Sequence, residues 1–187
     1  MTSKSALLVM DMQNGIAKGL SNADEVIEAN RKAIETARNN DIPVIFVRVA
    51  FSNDFAEVSP KNKSFSQIKK SGQAMGVNDE ATQVVDELAP AENEVIVTKH
   101  RFSAFTGSNL EVLLRGKQVD HLILTGVATS GVVLSTAVEA ADKDFELTIL
   151  EDAVMDRELD KHEFLIDKIL PRYADIVTIE EWNSSIK

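Results

Sequence analysis

The chain reads as an α/β protein: a mostly parallel, six-stranded sheet with helices on both faces. Three observations predict this. Short apolar, β-branched runs alternate with stretches of helical periodicity from one end to the other. The strand candidates are nearly continuous apolar runs rather than in-out alternations, as expected of strands covered on both faces. No internal repeat, linker or composition shift divides the 187 residues, so a single domain spanning 1–187 with a full core is expected.

Ala6–Met10 (ALLVM) is the first strand. Asp24–Asn39 follows as a helix, with Val26, Ile27, Ala29, Ala33, Ile34 and Ala37 at helical spacing. Asn40 and Asp41 end it, and Pro43 opens the second strand, Val44–Val49. Ala50–Gly76 is rich in Ser, Lys and Asn and poorly periodic, so it is expected to be a long loop. Asp79–Leu88 suggests a short helix and Glu94–Thr98 a third strand. Ser108–Leu114 is a helix with Ser108 as its cap, and Leu122–Thr125 is the fourth strand. Thr129–Lys143 is a helix, Glu146–Leu150 the fifth strand, His162–Leu170 a helix and Ala174–Ile179 the last strand. Crossovers between such strands are expected to be right-handed.

Composition narrows the chemistry. The chain has no cysteine, so neither a disulfide framework nor a thiolate metal site is available. The net charge of −10 argues against nucleic acid or an anionic membrane as partner, because phosphates call for clustered Lys and Arg. The densest basic group, Lys61, Lys63, Lys69 and Lys70, reads as a solvated segment. The amino-terminal residues lack the long apolar stretch and small-residue cleavage site of a signal peptide, and no run reaches the roughly 18 apolar residues of a membrane span. A cytoplasmic location is the expectation.

In open parallel sheets, sites form at the carboxyl ends of strands. Asp11 directly follows the first strand; it is a candidate acid or base, or equally a turn residue before Asn14-Gly15. Lys99 follows the third strand. It could hold a carboxylate ionised or bind an anion, or it could be a surface group; nearby Arg101, Phe102 and Phe105 favour a pocket. After the fourth strand, Gly126–Gly131 is a small-residue turn entering a helix, able to present backbone N–H groups to an anion or simply in need of glycine's φ freedom. Glu151 and Asp152, after the fifth strand, could line the same edge but read rather as caps of the Asp152–Glu158 turn. His100, His121 and His162 show no ligand spacing, and neither glycine-rich phosphate motif is present, so a nucleotide-binding domain is disfavoured.

Three segments taken in order, LLVMDMQNG, VTKHRFSAFTGSNLEVLL and LILTGVATSGVVLSTAVEAADKDFELTILEDAV, resemble the isochorismatase-like hydrolases, and the resemblance covers nearly the whole chain. It implies a Rossmann-like, three-layer α/β/α sandwich with Asp11 and Lys99 as the catalytic pair. It also implies a cis peptide before the conserved threonine, here Val127–Ala128, and a dimer or higher homo-oligomer. The implied substrate-facing set is Gln13, Arg101, Phe102 and Phe105, with Val127, Ala128, Thr129, Ser130, Gly131 and Val132 of the turn. Most of the superfamily carries a cysteine six residues after the turn glycine. Here that residue is Val132, which has no lone pair with which to attack a carbonyl. Ser130 is the nearest hydroxyl, with no base beside it in sequence.

Isochorismatases also lack the cysteine, because vinyl-ether cleavage needs an acid rather than a thiolate. This turn differs from theirs, which carries an aromatic and a histidine where Ala128 and Ser130 stand. The Asp-x-His metal pattern of nicotinamidases has no counterpart in Arg48–Asp54, so no metal and no cofactor are expected. The expectation is therefore a hydrolase of a small, anionic molecule that uses Asp11 and Lys99 without a thiol. The alternative is a catalytically silent small-molecule binding protein on the same fold.

Overall fold

The computed structural model describes residues 4–186. Strands β1 (Ser5–Met10), β2 (Val44–Val49), β3 (Val95–Lys99), β4 (His121–Val127), β5 (Glu146–Met155) and β6 (Asp175–Val177) form a sheet in the order β3-β2-β1-β4-β5-β6. Every pairing is parallel. The helices are α1 (Asn14–Ala17), α2 (Ala23–Asn39), α3 (Lys63–Ser71), α4 (Leu110–Lys117), α5 (Leu134–Asp142), α6 (Leu159–Phe164) and α7 (Ile179–Ser185).

β1 lies in the middle of the sheet, which is why ALLVM shows no polar alternation. Leu7 and Val9 join an apolar cluster with Val26, Ile34 and Ala37 of α2 and Trp182 of α7. Ala6, Leu8 and Met10 join the opposite cluster, with Leu110 and Leu114 of α4, Ala137 and Ala140 of α5 and Leu165 beyond α6. The result is three layers, α/β/α. Each fully buried aliphatic side chain adds roughly 1.5–3 kcal/mol of transfer free energy, so the central strand is anchored from both sides. In α2, Asp24 and Glu25 in the first turn and Arg38 in the last also complement the helix dipole.

Several boundaries differ from the sequence reading. The 50–76 stretch is not a continuous loop, because it contains α3. Phe65 turns inward there to pack on Phe51 and Phe102, at ring-centroid distances of 5.6 and 4.9 Å, while Lys63, Lys69 and Lys70 stay exposed. Residues 79–88 hold two separate 3-10 turns, Glu80–Thr82 and Asp86–Leu88, rather than one helix. The α4 cap position is Asn109, although the Ser108 hydroxyl still accepts from the Leu110 N–H at 3.1 Å. The helix after β4 begins as a π-helical turn, Thr129–Val133, before α5. β6 stops at Val177, and Ile179, expected at the end of the last strand, instead opens α7.

The largest revision concerns β5. It runs to Met155, past a register shift opposite Leu124 and Gly126. Asn30, fully buried on α2, donates to the Ala153 carbonyl at 2.9 Å and holds the irregular segment against the helix. Asp152 lies within the strand rather than capping a turn of its own; its carboxylate accepts from the Ile179 N–H at 3.1 Å, at the start of α7.

Candidate active site

Strand order reverses between β1 and β4: β2 and β3 lie on one side, β5 and β6 on the other. The crevice outside the carboxyl ends at such a reversal is where open α/β sheets place ligands. Asp11 leaves β1 there, its N–H still on the Val47 carbonyl at 2.8 Å and its φ at 54°, in the left-handed region that Asp tolerates better than most residues. Lys99 ends β3, two strands away, or about 10 Å at ordinary strand spacing. Its long stem bridges that gap, and Nζ reaches Asp11 Oδ2 at 3.0 Å and the Arg101 carbonyl at 2.9 Å. Lys99 is 1% exposed and Asp11 6%. The other carboxylate oxygen, Asp11 Oδ1, is buried with no hydrogen-bond partner among the described residues. Burial pushes the Asp11 carboxyl above the ordinary Asp range, and the Lys99 ammonium opposes that rise.

The turn after β4 lies next to β1, and the Val127–Ala128 peptide is cis. Gly126 has φ 116°, and a Cβ there would sit 1.9 Å from the Met10 carbonyl oxygen, so this glycine is required. A Cβ on Gly131, by contrast, would meet nothing within 4 Å. Val132 is buried in the apolar cluster that also holds Met10, Val97 and Ala104. Thr129 is buried, and its hydroxyl pairs with His162 Nδ1 at 2.8 Å; burial lowers the His162 pKa.

Ser130 has a partner that sequence adjacency could not reveal. Asp156 Oδ2 accepts from both the Ser130 N–H, at 2.8 Å, and the Ser130 hydroxyl, at 2.6 Å. Burial alone would raise the Asp156 carboxyl. Bonds from Ser130 and from the Arg157 and Glu158 N–H groups outweigh burial and hold it below the ordinary value. Ending β5 at Leu150 hid this residue; the apolar Ala153-Val154-Met155 continuing beyond two acidic residues was the signal that the strand end lies at Asp156.

The other sequence candidates divide. Gln13 is fully buried, and its side chain is committed to backbone: Nε2 donates to Val49 O at 2.9 Å and Thr82 O at 3.0 Å, and Oε1 accepts from Val49 N at 2.8 Å. It ties the residues after β1 to β2 and offers a ligand no free polar atom. Phe105 packs in the core against Phe145, with centroids 5.8 Å apart. Phe102 is 45% exposed and, with Arg101, lines a groove alongside the helix after β4. Two of the Arg101 N–H donors are spent on the His100 and Glu57 carbonyls, at 2.6 and 2.9 Å.

Removing the Asp156 clamp has a defined expected outcome. Asp156→Ala is expected to lower stability at neutral pH by about 1–3 kcal/mol, the usual cost of leaving partly buried donors unpaired. Because the folded-state pKa is depressed, this contribution is complete above the unfolded value, near 3.8, and is lost as pH falls through the lowered folded-state value. Denaturant melts of both proteins across that range should therefore converge at low pH.

A family model described as Isochorismatase domain matches residues 5–181. The chain belongs to the isochorismatase family. Within this family it is 32% identical over 180 residues to the isochorismatase family protein YecD of Escherichia coli O157:H7, covering 95% of this chain and 93% of that one. It is also 32% identical over 173 residues to the ureidoacrylate amidohydrolase RutB of Yersinia enterocolitica, covering 81% of this chain and 75% of RutB. Among solved structures, an isochorismatase family protein from Burkholderia thailandensis superposes with a TM-score of 0.87 at 27% identity, covering 100% of this chain and 97% of the other. The chain is thus an isochorismatase-family hydrolase. Among its described residues, no helix is long and apolar enough to cross a membrane.

Proposed function

We propose that this hydrolase cleaves a small anionic substrate by acid–base chemistry at Asp11 and Lys99, with no covalent enzyme intermediate. The observation that carries the reading is the Asp11 carboxyl: one oxygen is held by Lys99, the other is buried with no hydrogen-bond partner among the described residues, and burial favours the protonated form. Protonated Asp11 would give its proton to an electron-rich carbon. In a vinyl ether such as isochorismate, the methylene carbon takes that proton. Water then adds to the resulting oxocarbenium carbon and returns a proton to Asp11. The hemiketal hydroxyl then gives up its proton as the ether C–O bond breaks, and the departing oxygen takes up a proton, to give a ketone and an alcohol. Two of the three Lys99 N–H donors are used in the protein, which leaves one, with Arg101, for an anionic group.

A second reading, a catalytically silent binder, is favoured by the valine at the nucleophile position and by the commitment of the Ser130 N–H and hydroxyl to Asp156. A mass-spectrometric turnover screen against isochorismate and a panel of small amides separates the two. Turnover of isochorismate supports acid catalysis. Binding without turnover supports the silent binder, and turnover of amides alone overturns the proposed chemistry.

The role of Lys99 gives a pH signature. Reaction through protonated Asp11 makes kcat/KM fall as pH rises through the Asp11 pKa. Lys99 lowers that pKa, so Lys99→Met is expected to move the falling limb to higher pH. A limb that stays in place, or moves to lower pH, would remove Asp11 from the role of acid.

A further inference from the structure

Beside the crevice, a groove of about 650 Å³ runs between the Arg101–Thr106 segment and the outer face of the helix after β4. The helix contributes residues from Ser130 to Asp142, twelve positions along the chain, or about 18 Å at the α-helical rise. Two hydrogen bonds align the segment with the helix. The Ala104 N–H donates to the Thr136 hydroxyl at 3.0 Å, and the Thr106 hydroxyl to Glu139 Oε2 at 2.8 Å. Stepping back along both elements places Arg101 opposite the first helical turn, at the catalytic end. Phe102, Leu134 and Val138 make the middle of the groove apolar, and Glu139 and Asp142 stand at the far end. Lys143 lies near these acids, but its Nζ is 2.7 Å from Glu111 and 3.9 Å from Glu139, so it chiefly neutralises Glu111. The groove therefore has a cationic head, an apolar waist and an acidic tail.

We propose that this groove selects substrates bearing a carboxylate at one end, an apolar spacer, and a cationic or N–H-donor group at the other. Placing the carboxylate at the catalytic end rests on the function proposed above; the selectivity for a donor tail rests on the groove alone. A dicarboxylate long enough to span the groove is disfavoured, because its second charge would meet Glu139 and Asp142; both carboxylates of a compact molecule such as isochorismate stay at the cationic head.

The test is direct binding, by isothermal titration calorimetry, of three eight-carbon probes: ω-aminooctanoate, octanoate and suberate, in low salt. The ω-amino acid is expected to bind about fivefold tighter than octanoate, the scale of one exposed ion pair, and suberate to bind weakest. In the double variant Glu139→Gln/Asp142→Asn this order should flatten. Suberate binding as well as ω-aminooctanoate, a preference that survives in the double variant, or binding of none of the three overturns the inference. Asp11→Asn should leave the selectivity in place. Loss of turnover in Asp11→Asn without probe selectivity would thus refute the groove alone, and selectivity without any turnover would refute the acid chemistry alone.

Discussion

Asp11→Asn is expected to reduce turnover by about 10²–10⁴-fold, the usual contribution of a positioned acid–base group, while the protein stays folded. Two features make the fold tolerant. The φ of 54° at this position suits Asn as well as Asp. The amide oxygen can also still accept from Lys99, which keeps the Arg101 carbonyl as its second acceptor. Removing one partner of a buried ion pair should cost about 3–5 kcal/mol, at or below the low end of the 5–15 kcal/mol of a typical domain. Single-turnover kinetics beside a denaturant melt would read both quantities. Full activity in the folded variant would end the acid role of Asp11, and collapse of the fold would make Asp11 chiefly structural.

Gly126→Ala should be the most disruptive of the glycine-to-alanine changes. The added Cβ would lie 1.9 Å from the Met10 carbonyl oxygen, which is backbone of the neighbouring strand and cannot rotate away. The φ of 116° is itself closed to an L side chain. Forcing the backbone out of this conformation and parting β1 from β4 should together cost on the order of 4 kcal/mol or more, enough to leave little soluble folded protein. Gly131→Ala, five residues on, is the control. Its Cβ meets nothing, so its stability should match the parent or exceed it by up to about 1 kcal/mol from helix propensity. Soluble yield and denaturation midpoint measure both, and comparable loss in the two variants would refute the close-approach argument.

The contrast between these glycines marks the limit of sequence reading. Both stand in one small-residue turn and both read as candidates for φ freedom, yet only Gly126 lies against another strand. The same limit appears at Ser130. Its base-like neighbour Asp156 is 26 residues away and comes into contact only because β5 pairs with β4. Gln13 and Phe105, legible as site residues by motif, are taken up by backbone clamping and by core packing.

What the sequence by itself determined is the architecture and the position of Asp11 and Lys99 at the ends of apolar strands. Continuous apolar strands demand cover on both faces, and a charged residue directly after such a strand, Asp11 or Lys99, stands at the sheet edge where polar groups converge. Segments whose order depends on contacts far along the chain were not legible. α3 forms around Phe65 because Phe51 and Phe102 wait for it, and α7 starts where Asp152 accepts its first N–H. Local propensity cannot report such partners. Only the tertiary structure joined Lys99 to Asp11 across an intervening strand, committed Ser130 to Asp156, and arranged Arg101, Glu139 and Asp142 along one groove. Each of these depends on distances between side chains that the linear order of residues does not contain.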